Sequence, residues 1–131
     1  LNIELEENIF FDMDIAVPLG IIINELVSNS LKYAFLGRDN GKIQIKLYNE
    51  YSVEHLNKEH GSTKESYNGT DFVLIVSDNG IGIPDEFNLE NSNSLGLQLV
   101  ETLVDQLGGK IELKRAFGTE FCIRFTVPVQ N

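Results

Sequence analysis

A single cysteine in 131 residues excludes a disulfide within the chain. Cys122 falls in a stretch of alternating polarity, so it reads as a small core or strand residue in a reducing compartment, and a cytoplasmic location is expected. Cations are also scarce: 10 Lys and Arg stand against 20 Asp and Glu, a formal charge of −10. Nucleic-acid binding rests on clustered Lys and Arg that release counterions, so the composition argues against DNA and RNA as partners. Any anion held by this chain has to be held by local geometry against the overall field. No uninterrupted apolar run reaches the roughly 20 residues that cross a bilayer. The N-terminus lacks the basic, apolar and small-residue succession of a signal peptide, and no membrane contact is expected of these residues. There is no internal repeat, low-complexity tract or dividing linker.

What is present is the composition of a globule, 42% hydrophobic and 23% charged, which argues against wholesale disorder. The length suits one domain, residues 1–131, able to bury a core without disulfide or metal staples. The first residue is Leu1 rather than Met, and a fragment of a longer protein is expected.

Periodicity supplies the elements. "NIELE", Asn2 to Glu6, alternates as a strand. Asp14 and Pro18 serve as start signals for a helix running to about Phe35. "KIQIKLY" alternates again, and Glu50 to Thr70 is polar and aperiodic, a long connection that holds His55 and His60 as surface residues. "DFVLIVSDNG" is a nearly continuous apolar strand with Asp78 at its exit. Pro84 to Asn93 is turn-rich, and a helix follows in which Leu95, Leu99, Leu103 and Leu107 recur at helical intervals until Gly108-Gly109 stops it. "KIELKR" and "TEFCIRFTVP" form an antiparallel hairpin around Ala116-Phe117-Gly118. The expected fold is an α/β (α+β) two-layer sandwich: a mixed, largely antiparallel sheet covered on one face by helices.

Three segments carry polar residues that a core alone does not need. In "IINELVSNSLKYAF", Ala16, Leu19, Ile23, Leu26, Val27, Ser30 and Ala34 share one side of the helix, while Glu25, Asn29 and Lys32 line the other. That polar line is either an ordinary solvated face or one wall of a site. "DNGIGIP", Asp78 to Pro84, is either a turn or a ligand loop. Gly80 and Gly82 would let main chain approach a flat ligand, and Asp78 could accept a hydrogen bond from an exocyclic amine such as that of adenine. In "SNSLGLQLV", Gly96 lies just inside a helix start, where unpaired N–H groups suit phosphate; the bland reading is an incidental glycine. No GxxxxGK[ST] is present, and neither glycine cluster is a dinucleotide fingerprint. Together the segments describe a site for a purine nucleotide with its phosphates and a metal. The Asn29 carbonyl oxygen suits Mg²⁺, and Lys32, one turn on, can neutralise phosphate charge.

In this order, "NELVSNSLKYAF", "DNGIGIP", "SLGLQLV" and "GTEFCIRFTVP" resemble the N, G1, G2 and terminal Gly-Thr boxes of the ATP-binding catalytic domain of sensor histidine kinases. That family belongs to the gyrase, chaperone, histidine kinase and MutL (GHKL) superfamily with its Bergerat fold, and the similarity runs from about Asp14 to Pro128. The resemblance implies ATP and Mg²⁺, with Asn29 on the metal, Lys32 on phosphate and Tyr33 beside the adenine. It makes Asp78 the acceptor of the adenine amine, with Gly80 and Gly82 shaping the loop and Ile83 lining the base pocket. It puts Gly96 and Leu97 in the loop over the phosphates, Thr119 in the final box, and a movable lid at Pro84 to Ser94, where only Phe87 matches the family's Phe motif. Glu25 stands where hydrolytic members carry a general base. The implied activity is transfer of the γ-phosphoryl group to a histidine on a separate helical dimerisation domain, in a homodimer that serves a response regulator. The alternatives are a hydrolytic or serine-directed member of the superfamily, or a nucleotide-sensing module without catalysis.

Overall fold

The computed structural model describes residues 1–6, 9–34, 41–50, 69–80, 95–115 and 118–128, apart from the side chains of 33 and 34. Among these residues five strands and two helices follow the expected order: β1 (Asn2–Leu5), α1 (Met13–Asn29), β2 (Ile43–Asn49), β3 (Gly69–Asp78), α2 (Leu95–Gln106), β4 (Lys110–Lys114) and β5 (Thr119–Pro128). The sheet runs β1-β2-β3-β5-β4. β1 is parallel to β2, and the other three pairs are antiparallel, which is the mixed, largely antiparallel sheet that alternation implied. Gly69 and Thr70, expected in the long connection, are the first residues of β3. Residues 51–68 of that connection, with His55 and His60, and the lid with Phe87 lie outside the described residues.

Alternation puts one row of each strand under the helices. Ile45, Leu74, Ile123 and their neighbours Val76, Phe121 and Phe125 meet Leu19, Ile22 and Leu26 of α1 and Leu97, Val100, Leu103 and Val104 of α2 in one core. Fully burying side chains of this size stabilises by about 1.5–3 kcal/mol each before chain entropy is subtracted. Phe11, just before α1, closes the far end. Its ring meets Phe72 edge-on at 4.9 Å, and Phe72 stacks on Phe125 at 5.6 Å. Such pairs add about 0.5–1.5 kcal/mol beyond their area.

Three helix details differ from expectation. Pro18 lies inside α1 rather than at its start, and Asp12 is the N-cap, its carbonyl accepting from Ile15 and Ala16 at 2.9 and 2.8 Å. Proline removes one backbone donor there, and the buried residues that follow it, Leu19, Ile22 and Leu26, hold the helix on the sheet. The α-helix also changes at Asn29 into a π-helical turn, Ser30–Ala34, so the helical stretch reaches Ala34 but its last turn is widened. Finally, Met13–Lys32 is a 20-residue helical segment long and apolar enough to cross a membrane by length and composition, although no single uninterrupted apolar run does so. One of its faces belongs to the core just described.

In α2 the buried stripe is Leu97, Val100, Leu103, Val104 and Leu107, while Leu95 is 81% exposed and Leu99 half-exposed. A strict i, i+4 line drifts about 40° per step around a helix with 3.6 residues per turn, so only its last two leucines face the sheet. The glycine stop is as expected: Gly108, at φ 68°, donates to Asp105 O at 2.9 Å, and Gly109 donates to Val104 O at 3.0 Å. That is the paired pattern of a Schellman cap.

Candidate functional site

The row of β3 under the helices reads Phe72, Leu74, Val76 and then Asp78, so the strand delivers a carboxylate to the edge of the core. Asp78 sits in register between Ile43 of β2 and Thr119 of β5. Thr119 is buried. The hydroxyl of Ser30 donates to Asp78 Oδ2 at 2.8 Å, and the Gly80 N–H donates to Asp78 Oδ1 at 2.9 Å. The second bond is an Asx turn, which fixes the main chain as it leaves the strand. Asn79 ties this exit to the start of β2: its N–H donates to Lys42 O at 3.2 Å, and its Oδ1 accepts from the Lys42 N–H at 2.8 Å.

Glycine permits the close approach on the other side. Gly118 has φ 125°, and a Cβ there would lie 2.0 Å from Asp78 O and 2.9 Å from Asn79 Cα. No larger residue lets β5 begin so close to the end of β3.

The C-terminal end of α1 reaches this place. α1 starts beside the Phe72–Phe125 stack and finishes at Ser30, so it crosses the sheet from far end to near end. α2 leads through Gly108-Gly109 into β4, whose first residue, Lys110, pairs with Arg124. α1 has no basic residue in its last turn, and α2 has no acidic residue in its first. The partial negative charge of one end suits a cation, and the partial positive charge of the other suits an anion.

Of the site residues expected from sequence, Asp78, Gly80 and Thr119 are brought together directly. Asn29 and Glu25 are half-buried on the last turns of α1, and Lys32 is exposed in the π turn, so the expected polar line is partly sheltered. Tyr33 belongs to the π turn. Gly96 and Leu97 are in the first turn of α2 rather than in the loop before it, and Leu97 is a core residue. Gly82 and Ile83 lie outside the described residues. Two oxygen donors one turn apart at a helix C-terminus, Glu25 and Asn29, fit a hard cation that keeps most of its other ligands from water and substrate. No cluster of three His, Cys, Asp or Glu side chains able to hold a metal is found among the described residues.

Sequence reasoning missed two participants. Ser30 falls on the apolar side of α1 in the sequence, and that is itself the signal, because a buried hydroxyl needs a partner. Gly118 stands in the hairpin loop and opens the stretch that resembles the terminal Gly-Thr box, but nothing local reveals that its missing side chain makes room for Asp78. A separate concavity of about 310 Å³ at the far end is lined by Asp71, Gly109, Lys110, Glu112, Arg124 and Thr126. Three of its charges are engaged, with Arg124 at 3.6 Å from Glu50 and 3.8 Å from Glu112, and Thr126 bonded to Asp71 at 2.5 Å.

Residues 14–131 match the family of histidine kinase-, DNA gyrase B- and HSP90-like ATPases. The chain is similar to the sensor histidine kinase PdtaS of Mycobacterium tuberculosis, at 35% identity over 90% of this chain and 20% of that protein. It is also similar to the serine-protein kinase RsbW of Listeria innocua, at 31% identity over 74% of this chain and 59% of the relative. Among solved structures it superposes on the histidine kinase domain of a blue-light activated histidine kinase from Erythrobacter litoralis, with TM-score 0.74 and 24% identity, over 95% of this chain and 49% of that one. The chain thus spans a fifth of the length of the PdtaS relative.

Proposed function

Because the chain belongs to the histidine kinase-, DNA gyrase B- and HSP90-like ATPase family, we propose that it is the ATP-binding catalytic part of a two-component sensor histidine kinase. It passes the γ-phosphoryl group to a histidine on a separate dimerisation domain. The observation that supports this most is the Asp78 carboxylate, delivered to the edge of the core by β3 and held there by Ser30 and Gly80 beside buried Thr119.

On this reading Asp78 accepts a hydrogen bond from the adenine amine, and Gly80, Gly82 and Ile83 shape the base pocket with Tyr33 and Thr119. Lys32 attracts phosphate, and the uncompensated N-terminus of α2 at Gly96 and Leu97 favours the same anion. Asn29 and Glu25 would hold Mg²⁺, which when bound offsets charge on the phosphates. Glu25, one turn before Asn29, orients the incoming nucleophile or takes its proton. The whole protein works in the cytoplasm, where ATP is available, as a homodimer that serves a response regulator.

A serine-directed kinase is the second reading, supported by the similarity to RsbW. Labelled ATP, the chain and either a histidine-bearing helical dimerisation domain or a serine-bearing acceptor protein distinguish the two. Label that survives alkali and is lost in acid marks phosphohistidine, and acid-stable label marks phosphoserine. Transfer only to the serine acceptor would overturn the histidine reading. ATP turnover without either acceptor, lost in Glu25→Ala, would identify a hydrolase instead.

A further inference from the structure

We propose that Ser30 is a positioning residue for recognition of the adenine amine: its hydroxyl sets the Asp78 carboxylate so that the oxygens left free face the base. The proposal rests on the ATP reading above and deepens it.

A serine in a helix ordinarily satisfies its hydroxyl on the carbonyl of the preceding turn. Ser30 does not; it reaches across 48 residues of sequence to Asp78 Oδ2 at 2.8 Å. It does so at the residue where α1 changes from an α-helix to a π-helical turn, and its own N–H is shared between Leu26 O and Val27 O. Widened turns of this kind are frequent at functional sites. The side chain is buried, at 8% exposure, so water does not compete freely for the bond.

The consequence for Asp78 is geometric. An ionised carboxylate offers about four lone-pair sites. Ser30 occupies one on Oδ2 and the Gly80 N–H occupies one on Oδ1. Two donors, one on each oxygen, fix the plane of the group and leave it purely an acceptor. Adenine presents an amine donor at this position and guanine a carbonyl acceptor, so a fixed acceptor takes the first and repels the second. Asp78 without Ser30 keeps only the Gly80 bond and can turn about its side-chain torsion. Leu31, the next residue, is two-thirds exposed and Lys32 is exposed, so within Ser30–Lys32 the hydroxyl of Ser30 alone is directed inward.

The test is calorimetric titration of wild type, Ser30→Ala and Ser30→Thr with ATP and with purine riboside triphosphate, which lacks the amine, at constant Mg²⁺. A lost hydrogen bond to a charged group predicts about tenfold weaker ATP binding in Ser30→Ala. The amine-free nucleotide, bound less tightly by wild type, should change less than about threefold, and Ser30→Thr should restore ATP binding to near wild type. Equal loss for both nucleotides would reduce Ser30 to a structural residue and overturn the proposal, as would unchanged ATP binding in Ser30→Ala. Wild type that takes up neither nucleotide overturns the ATP reading itself. Melting curves of both variants separate misfolding from these outcomes, and if Ser30→Ala does not fold, Ser30→Cys, close in size but a weak donor, takes its place with the same selective loss for ATP expected and the same equal loss overturning the proposal.

Discussion

Three glycine-to-alanine substitutions test whether the close approach at Asp78 is real, because the same added methyl meets three different environments. Gly20 lies inside α1, and a Cβ there meets nothing within 4 Å. Alanine should stabilise by about 0.5–1 kcal/mol through helix propensity. Gly108 has φ 68° and also has open space around a Cβ, so alanine there carries only the left-handed backbone cost of about 1–2 kcal/mol. Gly118 combines φ 125° with a Cβ position 2.0 Å from Asp78 O. The dihedral costs about 1–3 kcal/mol, and relieving the contact forces β5 away from the end of β3. A total of roughly 3 kcal/mol or more follows, which for a chain of this length lowers the melting temperature by about 10 °C. Urea denaturation with a common m-value gives the free energies, and thermal melts check them. The expected order of stability is Gly20→Ala, wild type, Gly108→Ala, Gly118→Ala. Gly118→Ala no less stable than Gly108→Ala would refute the packing of Gly118 on Asp78.

Ile22 is fully buried at the centre of α1, so Ile22→Ala should cost about 2–5 kcal/mol, whereas Ile21→Ala, on the exposed side, should cost less than about 1 kcal/mol; equal losses would mean that α1 is rotated on the sheet. Burial pushes the Cys122 thiol above its usual pKa, against the opposing charges of Arg124 and Lys114. The thiolate is the reactive form, so native protein at pH 8 should react with iodoacetamide far more slowly than unfolded protein, and equal rates would place Cys122 at the surface. A raised folded pKa favours the protonated thiol, so this contribution to stability is complete below the unfolded value of about 8.5 and is lost as pH rises beyond it. Cys122→Ala should therefore show a shallower alkaline decline in stability than wild type, and an identical decline would contradict the burial of the thiol. Arg124 and its partners Glu50 and Glu112 are partly exposed at 3.6–3.8 Å, so Arg124→Ala should shift stability by less than about 1 kcal/mol; a larger loss would show that this network braces the sheet.

The strands were legible because a half-buried sheet leaves a period of two, and "KIQIKLY" and "TEFCIRFTVP" became β2 and β5 within a residue. The continuous run "DFVLIV" was legible for another reason: β3 is central, between β2 and β5, and Val73 is as buried as Leu74. Helix faces were harder to read. The leucine line of α2 points at Leu95 and Leu99, which are exposed, and the apolar side expected for α1 leaves out Ile22, the most deeply buried residue of that helix. Side-chain type does not fix helix rotation to within the angle that separates neighbouring positions; packing against the sheet does. Pro18 inside α1 and the π turn after Asn29 likewise depart from what local preference alone suggests.

The site was half legible. Asp78 stood out as a carboxylate ending an apolar strand, and Asn29 and Glu25 as polar residues in an apolar helix. The bond between Ser30 and Asp78 spans 48 residues and depends on how α1 lies over β3. The role of Gly118 depends on the register that pairs Thr119 with Asp78. Both are relations between elements, and no spacing along the chain encodes them.

The most direct measurement is calorimetric titration of the folded chain with ATP, with and without Mg²⁺, repeated on Asp78→Asn and Asn29→Ala. One ATP should bind per chain and more tightly with Mg²⁺; Asp78→Asn should weaken binding at least about tenfold, and Asn29→Ala should remove the dependence on Mg²⁺. Well-folded protein that takes up no adenosine nucleotide, or that binds ATP unchanged in Asp78→Asn, would contradict a nucleotide site at the end of β3.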